Sequence, residues 1–446
     1  MVTRSTFRFG SGTHMTEESI VSVLKPAMKI AQVPQWPSAR WVGGLDLPAK
    51  LAPSTELLDS SGYCRARLLV RHRGRPVTFV DVDVVDHMVD GVRLGEMVSQ
   101  WNLGHPSDIA TLSADDLPFI TVVMCTRNRA IALEDALASV LACDYPRFEV
   151  IVVDNASTDD STVTYVTGLR DPRVRVLTEP VPGLSFARNT GVLAALGDVV
   201  AFTDDDVVVD PKWLLWFGRA VRSASAVGCV TGLVPGGELR TPEQYWFDTQ
   251  MSWSNNLARQ VFEIARPPVG NKLFPFQVGL YGTGANFAMP RSVIIDLGGF
   301  DEALGVGSPT GAGEDIDMFL RVVAAGQLLV YEPAAIVWHR HRADMSGLIT
   351  QARGYGLGVG AWLTKVACDR SLAPMALRRL WSGLVHFHRI TSPPHVDDFD
   401  VPSKLRRTQI VSHLRGPLVY VRSRRGGRRA NPLKACPPLM PSRLPD

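Results

Sequence analysis

The sequence predicts an α/β protein with a Rossmann-like, mostly parallel sheet flanked by helices. From residue 118 onwards, short apolar runs alternate with segments of helical spacing, which is the pattern of βαβ units. The runs are apolar along nearly their whole length, as expected for strands covered on both faces. Polar residues follow each run, so we expect them to meet at the carboxyl edge of the sheet, where such folds bind ligands.

Each predicted element has its own local signal. The apolar runs predict strands at residues 117–125, 148–153, 174–177 and 198–203. Apolar residues recur at three- and four-residue spacing after residue 130, which predicts the first crossover helix. Further helices are expected over residues 184–196 and from residue 313, and another strand over residues 328–337.

Composition limits the class of protein. The chain has 446 residues, of which 46% are hydrophobic and 20% charged, as in soluble globular proteins with two or three units. A formal charge of +3 is too small to predict nucleic-acid binding. The 6 cysteines are scattered without a CxxC pattern, which favours a reducing cytoplasm over a zinc or disulfide framework. Neither a signal peptide nor a run of ~20 apolar residues is present, so we expect no integral membrane protein.

Changes in amino-acid composition along the chain predict four parts. They are a loosely ordered segment at 1–40, in which Met15 is an alternative start, a small β-rich accessory unit at 41–117, the α/β domain at 118–345, and a helical extension with a basic tail at 346–446. Residues 65–84 predict a hairpin whose first arm is dense in arginine. Those arginines are most simply a solvated face, and a docking surface is the alternative.

Three consecutive acids, Asp204, Asp205 and Asp206, interrupt an apolar stretch. Like charges this close repel one another, so we expect water, arginine or a metal ion to neutralise them. In an extended backbone Asp204 and Asp206 share a side and Asp205 faces away. Paired carboxylates of this kind suit Mg²⁺ or Mn²⁺ bound together with a substrate phosphate. The alternative is a turn or helix cap before Pro211.

Three further positions have both a chemical and a structural interpretation. Asp154 ends a strand, where it can bond a nucleoside or cap the next helix. Glu314 and Asp315 open a helix, where they can serve as a general base or simply complement the helix dipole. His339 and His341 alternate at a strand end, where they can join a metal site or form a surface cluster.

Taken together, these segments resemble the family 2 inverting glycosyltransferases with the GT-A fold, from about residue 119 to about residue 342. The matching segments occur in the family's order: residues 122–129, the VVDNAS segment at 152–157, the GLSFARNTG segment at 183–191, the acidic triplet at 204–206, GTGAN at 282–286, GED at 313–315, and Trp338-His339.

The resemblance implies a metal-dependent, hexosyltransferase-like enzyme that transfers a sugar from a nucleotide-diphosphate sugar to an acceptor hydroxyl with inversion. It implies Asp315 as the general base, with Glu314 as its rival. The cation, Mg²⁺ or Mn²⁺, would be held by Asp206, Asp204 and His339. The acceptor side would include Gly284, Ala285 and Asn286. The nucleotide sugar would contact Thr126, Arg127, Arg129, Asp154, Arg188, Asp204 and Asp205.

Departures from the family pattern refine the expectation. The QxxRW segment and the membrane spans of processive synthases are absent from the sequence, so we expect one sugar per encounter, on a glycan or lipid-linked acceptor. The alternatives are a nucleotidyltransferase, disfavoured because residues 126–129 lack glycine, and an inactive glycan-binding module. The basic tail, with Leu418, Tyr420 and Val421, predicts peripheral attachment to the anionic inner face of the cell membrane. A solvated tail is the alternative.

Overall fold

The structure is a computed structural model that describes residues 20–100, 113–383 and 403–426, together with Val385 and Leu433. Residues 1–19 of the segment expected to be loosely ordered, and residues 427–429 of the basic tail, lie outside the described residues. Among the described helices, none has the length and apolar character needed to cross a membrane.

An N-terminal unit consists of two three-stranded sheets and one helix. Its core contains Trp41, Leu68 and Leu94, all fully buried. Within the segment 1–40, Ile20–Leu24 is a strand that pairs with the third strand of this unit. The predicted arginine-rich hairpin is present as the fourth and fifth strands. The elements are β1 (Ile20–Leu24), β2 (Trp41–Leu47), β3 (Lys50–Leu57), β4 (Arg65–His72), β5 (Arg75–Asp83), β6 (Met88–Asp90) and α1 (Gly91–Ser99).

The central sheet has nine strands in the order β11-β15-β12-β14-β10-β7-β8-β9, with β13 paired to β15. Strands β10, β7, β8 and β9 pair in parallel, so their carboxyl ends share one edge as expected. In the other half, β14 runs antiparallel to both of its neighbours. The strands are β7 (Ile120–Thr126), β8 (Phe148–Asn155), β9 (Val174–Glu179), β10 (Val199–Thr203), β11 (Val207–Val209), β12 (Val227–Leu233), β13 (Gln260–Phe262), β14 (Asn286–Pro290) and β15 (Leu328–His339).

Helices cover both faces of this sheet. Alternate residues of the strands enter two separate apolar clusters: Val122 and Val150 belong to one, whereas Val123 and Ile151 belong to the other. This two-sided burial explains why the strands are apolar throughout. The helices are α2 (Ala130–Leu141), α3 (Ser161–Gly168), α4 (Leu184–Ala194), α5 (Trp213–Arg222), α6 (Pro242–Gln250), α7 (Arg291–Asp296) and α8 (Glu314–Ala324).

The C-terminal extension is helical, and its two long helices pack closely together. It contains α9 (Met345–Cys368), α10 (Ala373–Leu377) and α11 (Ser403–Gly426). A methyl group placed on Gly416 of α11 would lie only 2.6 Å from the Cα of Gly360 in α9, so only glycine permits this approach. The predicted α/β class, with a β-rich N-terminal unit and a helical extension, is confirmed.

Arginines of the N-terminal hairpin divide between the two interpretations: Arg65 and Arg73 are exposed, whereas Arg71 and Arg75 contact the central domain. Arg71 of β4 pairs with the buried Asp210, which follows β11. Arg75 pairs at 3.3 Å with Glu332 of β15, which is 1% exposed. These charges connect the N-terminal unit to the central domain, because each buried carboxylate needs a compensating cation.

Replacing Arg71 with leucine should lower the free energy of unfolding by about 3 kcal/mol, because Asp210 would keep a buried charge without its guanidinium partner. Urea denaturation followed by circular dichroism measures this change. Arg65→Leu is the matched control, because Arg65 is exposed on the same strand and its loss should change stability by less than about 0.5 kcal/mol. Equal effects of the two substitutions would contradict the docking role of Arg71.

Candidate active site

The acidic triplet lies in a turn between β10 and β11, not within one extended strand. Strand β11 pairs antiparallel with β15, and this register places His339 opposite Val207. The Nε2 atom of His339 is therefore 3.5 Å from Asp206 Oδ1. Ligand atoms of Asp204, Asp206 and His339 lie within 4.8 Å of one another, so the three predicted metal ligands are brought together.

Asp205 does not belong to this group of ligand atoms, and its partners are protein side chains. Thr126 Oγ1 donates to Asp205 Oδ2 at 2.7 Å, and Arg129 Nη1 donates to Oδ1 at 2.6 Å. Asp205 is 4% exposed and Thr126 is 3% exposed. Thr126 thus bonds Asp205, and Asp205 in turn bonds Arg129, which also donates to Asp206 at 3.0 Å. The contacts of Thr126 and Asp205 with the nucleotide sugar stay predictions.

The electrostatics of the group suit a hard divalent cation. Burial, together with the charges of Asp206 and Asp205, raises the pKa of Asp204 to about 8. Burial lowers the pKa of His339 to about 4, so its imidazole is neutral at pH 7 and offers a lone pair. A bound cation would favour the ionised form of Asp204. Two carboxylates and one neutral imidazole would then form a donor set that Mn²⁺ accepts readily and that leaves room for phosphate oxygens.

Arg188 of α4 lies beneath the site and connects its parts. Its Nη1 donates to Glu314 at 3.0 Å, its Nη2 donates to the Gly284 carbonyl at 3.0 Å, and Nη2 is 3.8 Å from Asp204. The residue is only 2% exposed. Its donors are directed at protein groups, and its contact with the nucleotide sugar stays a prediction.

The two acids that open α8 have different surroundings. Glu314 is buried and bonded to Arg188, and burial together with the Asp315 charge raises its pKa to about 7. Asp315 is half-buried, and its Oδ2 accepts a hydrogen bond from the Gly284 amide at 2.8 Å. An acceptor hydroxyl can reach Asp315 more easily than the enclosed Glu314, so geometry favours Asp315 as a base.

The GTGAN segment contacts the other site residues through its backbone and not through its side chains. Gly284 contacts both Arg188 and Asp315, as described above. Asn286 is fully buried; it accepts from the Trp213 indole at 2.8 Å and donates to the carbonyls of Leu233 and Ala335. Ala285 is 3% exposed. The side chains of Ala285 and Asn286 are both buried, and their place on the acceptor side stays a prediction.

The loops after β7 and β8 form the end of the site where a nucleoside contact is predicted. Asp154 accepts a short hydrogen bond from Ser157 Oγ, and that same Oγ accepts from the Asn128 amide at 2.9 Å. Asp154 does not cap α3, because it is engaged by Ser157 instead. Arg127 is exposed in the same loop. The structure thus brings Asp154 and the 126–129 loop together.

Tyr355 of α9 lies near the site, although it is outside the segments that resemble the family. Burial, with added contributions from the charges of Asp315 and Asp204, raises the pKa of its hydroxyl above the usual range. Gln351 donates to that hydroxyl at 3.0 Å. The alternating glycines around Tyr355 were the available signal, because they allow α9 to approach Gly311 and Ala312 just before α8.

Comparison with known families bears on this site. Residues 121–298 match the family described as Glycosyl transferase family 2. Residues 121–298 form a family 2 glycosyltransferase domain. The resemblance predicted from the motifs is thereby confirmed at the level of the family. The matched range includes Asp154 and the acidic triplet, whereas Asp315 and His339 lie beyond it.

Curated relatives of the glycosyltransferase domain come from bacteria and archaea. A pre-mycofactocin glycosyltransferase of Mycobacterium tuberculosis is 30% identical over 270 residues, which are 59% of this chain and 51% of the relative. A glucosyl-dolichyl phosphate glucuronosyltransferase of Haloferax volcanii is 26% identical over 261 residues, which are 56% of this chain and 80% of the relative. The match thus spans about half the length of the first relative.

A similar solved structure is the mannosyltransferase PcManGT of Pyrobaculum calidifontis in complex with GDP-Man and Mn²⁺. It shares 17% identity with this chain, and the alignment covers 77% of this chain and 85% of that one, with a TM-score of 0.41. The similarity is too distant to assign residue roles.

Asp206→Asn should weaken Mn²⁺ binding by more than about 100-fold, because loss of a direct ligand exceeds the ~10–100-fold cost of outer-shell changes. Titration of free Mn²⁺ by electron paramagnetic resonance measures this affinity. Asp205→Asn is the matched control; its oxygens face Thr126 and Arg129, so affinity should stay within about 10-fold of wild type. A larger loss in Asp205→Asn than in Asp206→Asn would refute the assignment.

Proposed function

We propose that this protein is a metal-dependent, inverting glycosyltransferase that moves a sugar from a nucleotide-diphosphate donor to an acceptor hydroxyl. The observation that supports this best is the connection made by Arg188 between the acidic turn and the helix that begins with Glu314 and Asp315. A cation site and a half-buried carboxylate lie on either side of one buried guanidinium. Such an arrangement suits a reaction with a departing anion at one end and an attacking hydroxyl at the other.

The chain's own groups have distinct roles in this mechanism. Asp315 accepts the proton of the acceptor hydroxyl while the Gly284 amide fixes the position of its carboxylate. Glu314 does not act as the base, because Arg188 holds it within the domain. Attack on the anomeric carbon from the side opposite the leaving diphosphate inverts the configuration at that carbon. Release of the product after one transfer accords with the missing QxxRW segment.

The donor would lie along the carboxyl edge of the parallel strands. Asp154 bonds the nucleoside, and Arg129, whose side chain is 38% exposed, faces the diphosphate. Asp204, Asp206 and His339 would hold Mg²⁺ or Mn²⁺, which supplies positive charge to the leaving diphosphate when bound. Arg127 is exposed beside them and remains a candidate donor contact.

A glycan or lipid-linked acceptor is the substrate that we favour. The Haloferax relative is named for a dolichyl phosphate sugar, which supports a lipid-linked acceptor by analogy. The Tyr355 hydroxyl of α9 is influenced by the charges of Asp315 and Asp204 and accepts from Gln351, so we expect the C-terminal extension to contribute to acceptor binding. A nucleotidyltransferase or an inactive glycan-binding module remains the alternative. The presence of both the metal set and Asp315 favours the active enzyme.

Asp315→Asn should reduce sugar transfer by ~10²–10⁴-fold, the usual contribution of a general base. Donor binding should survive, because the residue does not belong to the donor side of the site. A panel of nucleotide sugars with Mn²⁺ or Mg²⁺ would be scored both for transfer and for the rise in melting temperature that binding produces.

The control for this substitution lies on the same helix. Asp317→Asn removes a carboxylate that bonds Arg321 and Lys365, each at 2.8 Å, and is directed away from the reaction. It should alter stability more than transfer. Unchanged turnover in Asp315→Asn would eliminate Asp315 as the base, and the lack of any donor-induced stabilisation in the wild-type chain would count against the proposed function itself.

Helix α11 offers a surface for the proposed membrane attachment. Val411, Leu414, Leu418 and Val421 recur at intervals of three and four residues, so they form one outward stripe. They are 46%, 77%, 55% and 38% exposed, respectively. Exposed arginines flank the stripe, which gives the apolar and cationic pattern of a helix lying on an anionic bilayer. The flanking residues are Arg407, Arg415 and Arg422.

Tyr420 is not part of this surface, contrary to the expectation from the sequence. It is 6% exposed, and its hydroxyl donates to Asp301 at 3.2 Å. Leu418 and Val421 are exposed as the proposal requires. The protein would therefore lie on the inner face of the cell membrane with α11 outermost and the active site on the other side of α9.

The double substitution Leu414→Glu with Leu418→Glu should reduce binding to vesicles rich in phosphatidylserine by more than about 10-fold, because two apolar anchors become charged. Vesicle flotation of the full-length chain measures the bound fraction. Ile131→Glu is the matched control, because Ile131 of α2 is 84% exposed. If the double variant and the control float as wild type does, α11 is not a membrane surface.

A further inference from the structure

A second histidine, His341, lies next to His339, the candidate metal ligand. The Nδ1 atoms of His339 and His341 are 3.2 Å apart. His341 Nε2 is 3.4 Å from Asp248 Oδ1, and both residues are at most 4% exposed. A continuous chain of polar groups therefore runs from Asp206, through both imidazoles, to the buried carboxylate of Asp248.

The positions of the protons in this hydrogen-bonded series follow from the role of His339. If His339 Nε2 ligates a cation, its proton lies on Nδ1, because a neutral imidazole has one donor and one acceptor nitrogen. Nδ1–H then donates to His341 Nδ1, which must be the acceptor. His341 therefore has its proton on Nε2 and donates it to Asp248. Every group in the chain has its required partner in this single arrangement.

Asp248 is well placed to complete such a chain. It lies on α6, which begins with a capping box formed by Thr241 and Gln244. The Gly236 amide donates to Asp248 Oδ1 at 2.8 Å, and Arg67 of the N-terminal unit is 4.0 Å from Oδ2. Although burial opposes ionisation, His341 and Arg67 hold the pKa of Asp248 below its usual range, so it is a carboxylate at neutral pH.

Aromatic rings fix the planes of the two imidazoles. Phe247 packs against His341 with ring centroids 4.7 Å apart, and Trp253 lies edge-on to His339 at 6.4 Å. The backbone of His339 is also held, since its amide donates to the Pro235 carbonyl at 3.0 Å and its carbonyl accepts from the Gly237 amide at 2.9 Å. The orientation of His339 is thus set by groups that do not themselves belong to the candidate ligand set.

We infer that His341 and Asp248 are positioning residues that fix the tautomer and orientation of His339 for the divalent cation. This inference rests on the proposed function, because it assumes that His339 ligates the metal. It also gives the N-terminal unit a part in the site, through the ion pair of Arg67 with Asp248. Hydrogen-bonded partners of this kind raise the basicity of a ligating histidine and typically change metal affinity by ~10–100-fold.

The test uses Mn²⁺ alone, added to the full-length chain without donor or acceptor. His341→Leu removes the acceptor for His339 Nδ1–H and should weaken Mn²⁺ binding by ~10–100-fold. His341→Asn keeps an acceptor oxygen near the position of Nδ1 and should restore most of the affinity. Pulsed electron paramagnetic resonance should detect a histidine nitrogen coupled to Mn²⁺ in the wild-type chain and in His341→Asn, and a weakened coupling in His341→Leu.

A structural role alone would give a different result. Glu332→Gln is the control, because Glu332 is also buried at the contact between the N-terminal unit and the sheet and pairs with Arg75. It should leave Mn²⁺ affinity unchanged. Asp248→Asn removes the charge at nearly constant size and should weaken Mn²⁺ binding by about 10-fold, so the test does not depend on folding of His341→Leu.

The outcomes separate this inference from the proposed function. Wild-type affinity in His341→Leu, or in Asp248→Asn if the leucine variant does not fold, overturns the positioning role while the metal site stands. An equal loss in Glu332→Gln also overturns it, because general destabilisation would then explain the effect. If the wild-type chain fails to bind Mn²⁺, the proposed metal dependence and this inference are overturned together.

Discussion

The buried guanidinium of Arg188 is the constraint on which the rest of the site depends. Arg188 is positively charged and only 2% exposed, so the surrounding acids must remain close enough to balance its charge. Glu314 meets that need directly, and Asp204 contributes from 3.8 Å. Because the same guanidinium binds the Gly284 carbonyl, the acidic turn, the GTGAN segment and the start of α8 are fixed relative to one another. The distance between the cation site and Asp315 therefore depends on the interior of the domain and not on its loops.

The N-terminal unit is joined to the glycosyltransferase domain by buried charge rather than by a broad apolar face alone. Arg67, Arg71 and Arg75 are spaced four residues apart, and each meets an acid of the central domain. An arginine can place a charge in a partly buried contact while its long stem packs against apolar neighbours. The sequence pattern of frequent arginines on one arm is the same for a solvated face and for this contact, because the partners are more than 130 residues away in the chain.

Local patterns were enough to predict five strands of the central sheet, namely β7, β8, β9, β10 and β15, and the edge at which the parallel strands end, but not β11 to β14 or the order of the strands. Strand and helix periodicity depend on neighbours within a few residues, and the carboxyl edge of a parallel sheet follows from topology. The directions of individual side chains could not be predicted in this way. Asn286 and Arg188 lie in motifs beside the site, yet both side chains point into the domain, where Trp213 and Glu314 meet them from 73 and 126 residues away. Such long-range partners leave no trace in local spacing. Tyr355 could not be predicted either, because it lies on α9, a helix outside the segments that resemble the family.

Helix α9 has glycine contacts on two opposite sides. Gly354 and Gly358 lie against Gly311 and Ala312, just before helix α8, whereas Gly356 and Gly360 lie against α11. No layer of side chains fills either gap, so the backbones themselves are in contact and little compressible material separates α11 from the loop that leads to Asp315. A displacement of α11, such as one caused by another molecule that binds to it, would therefore be transmitted almost fully to that loop.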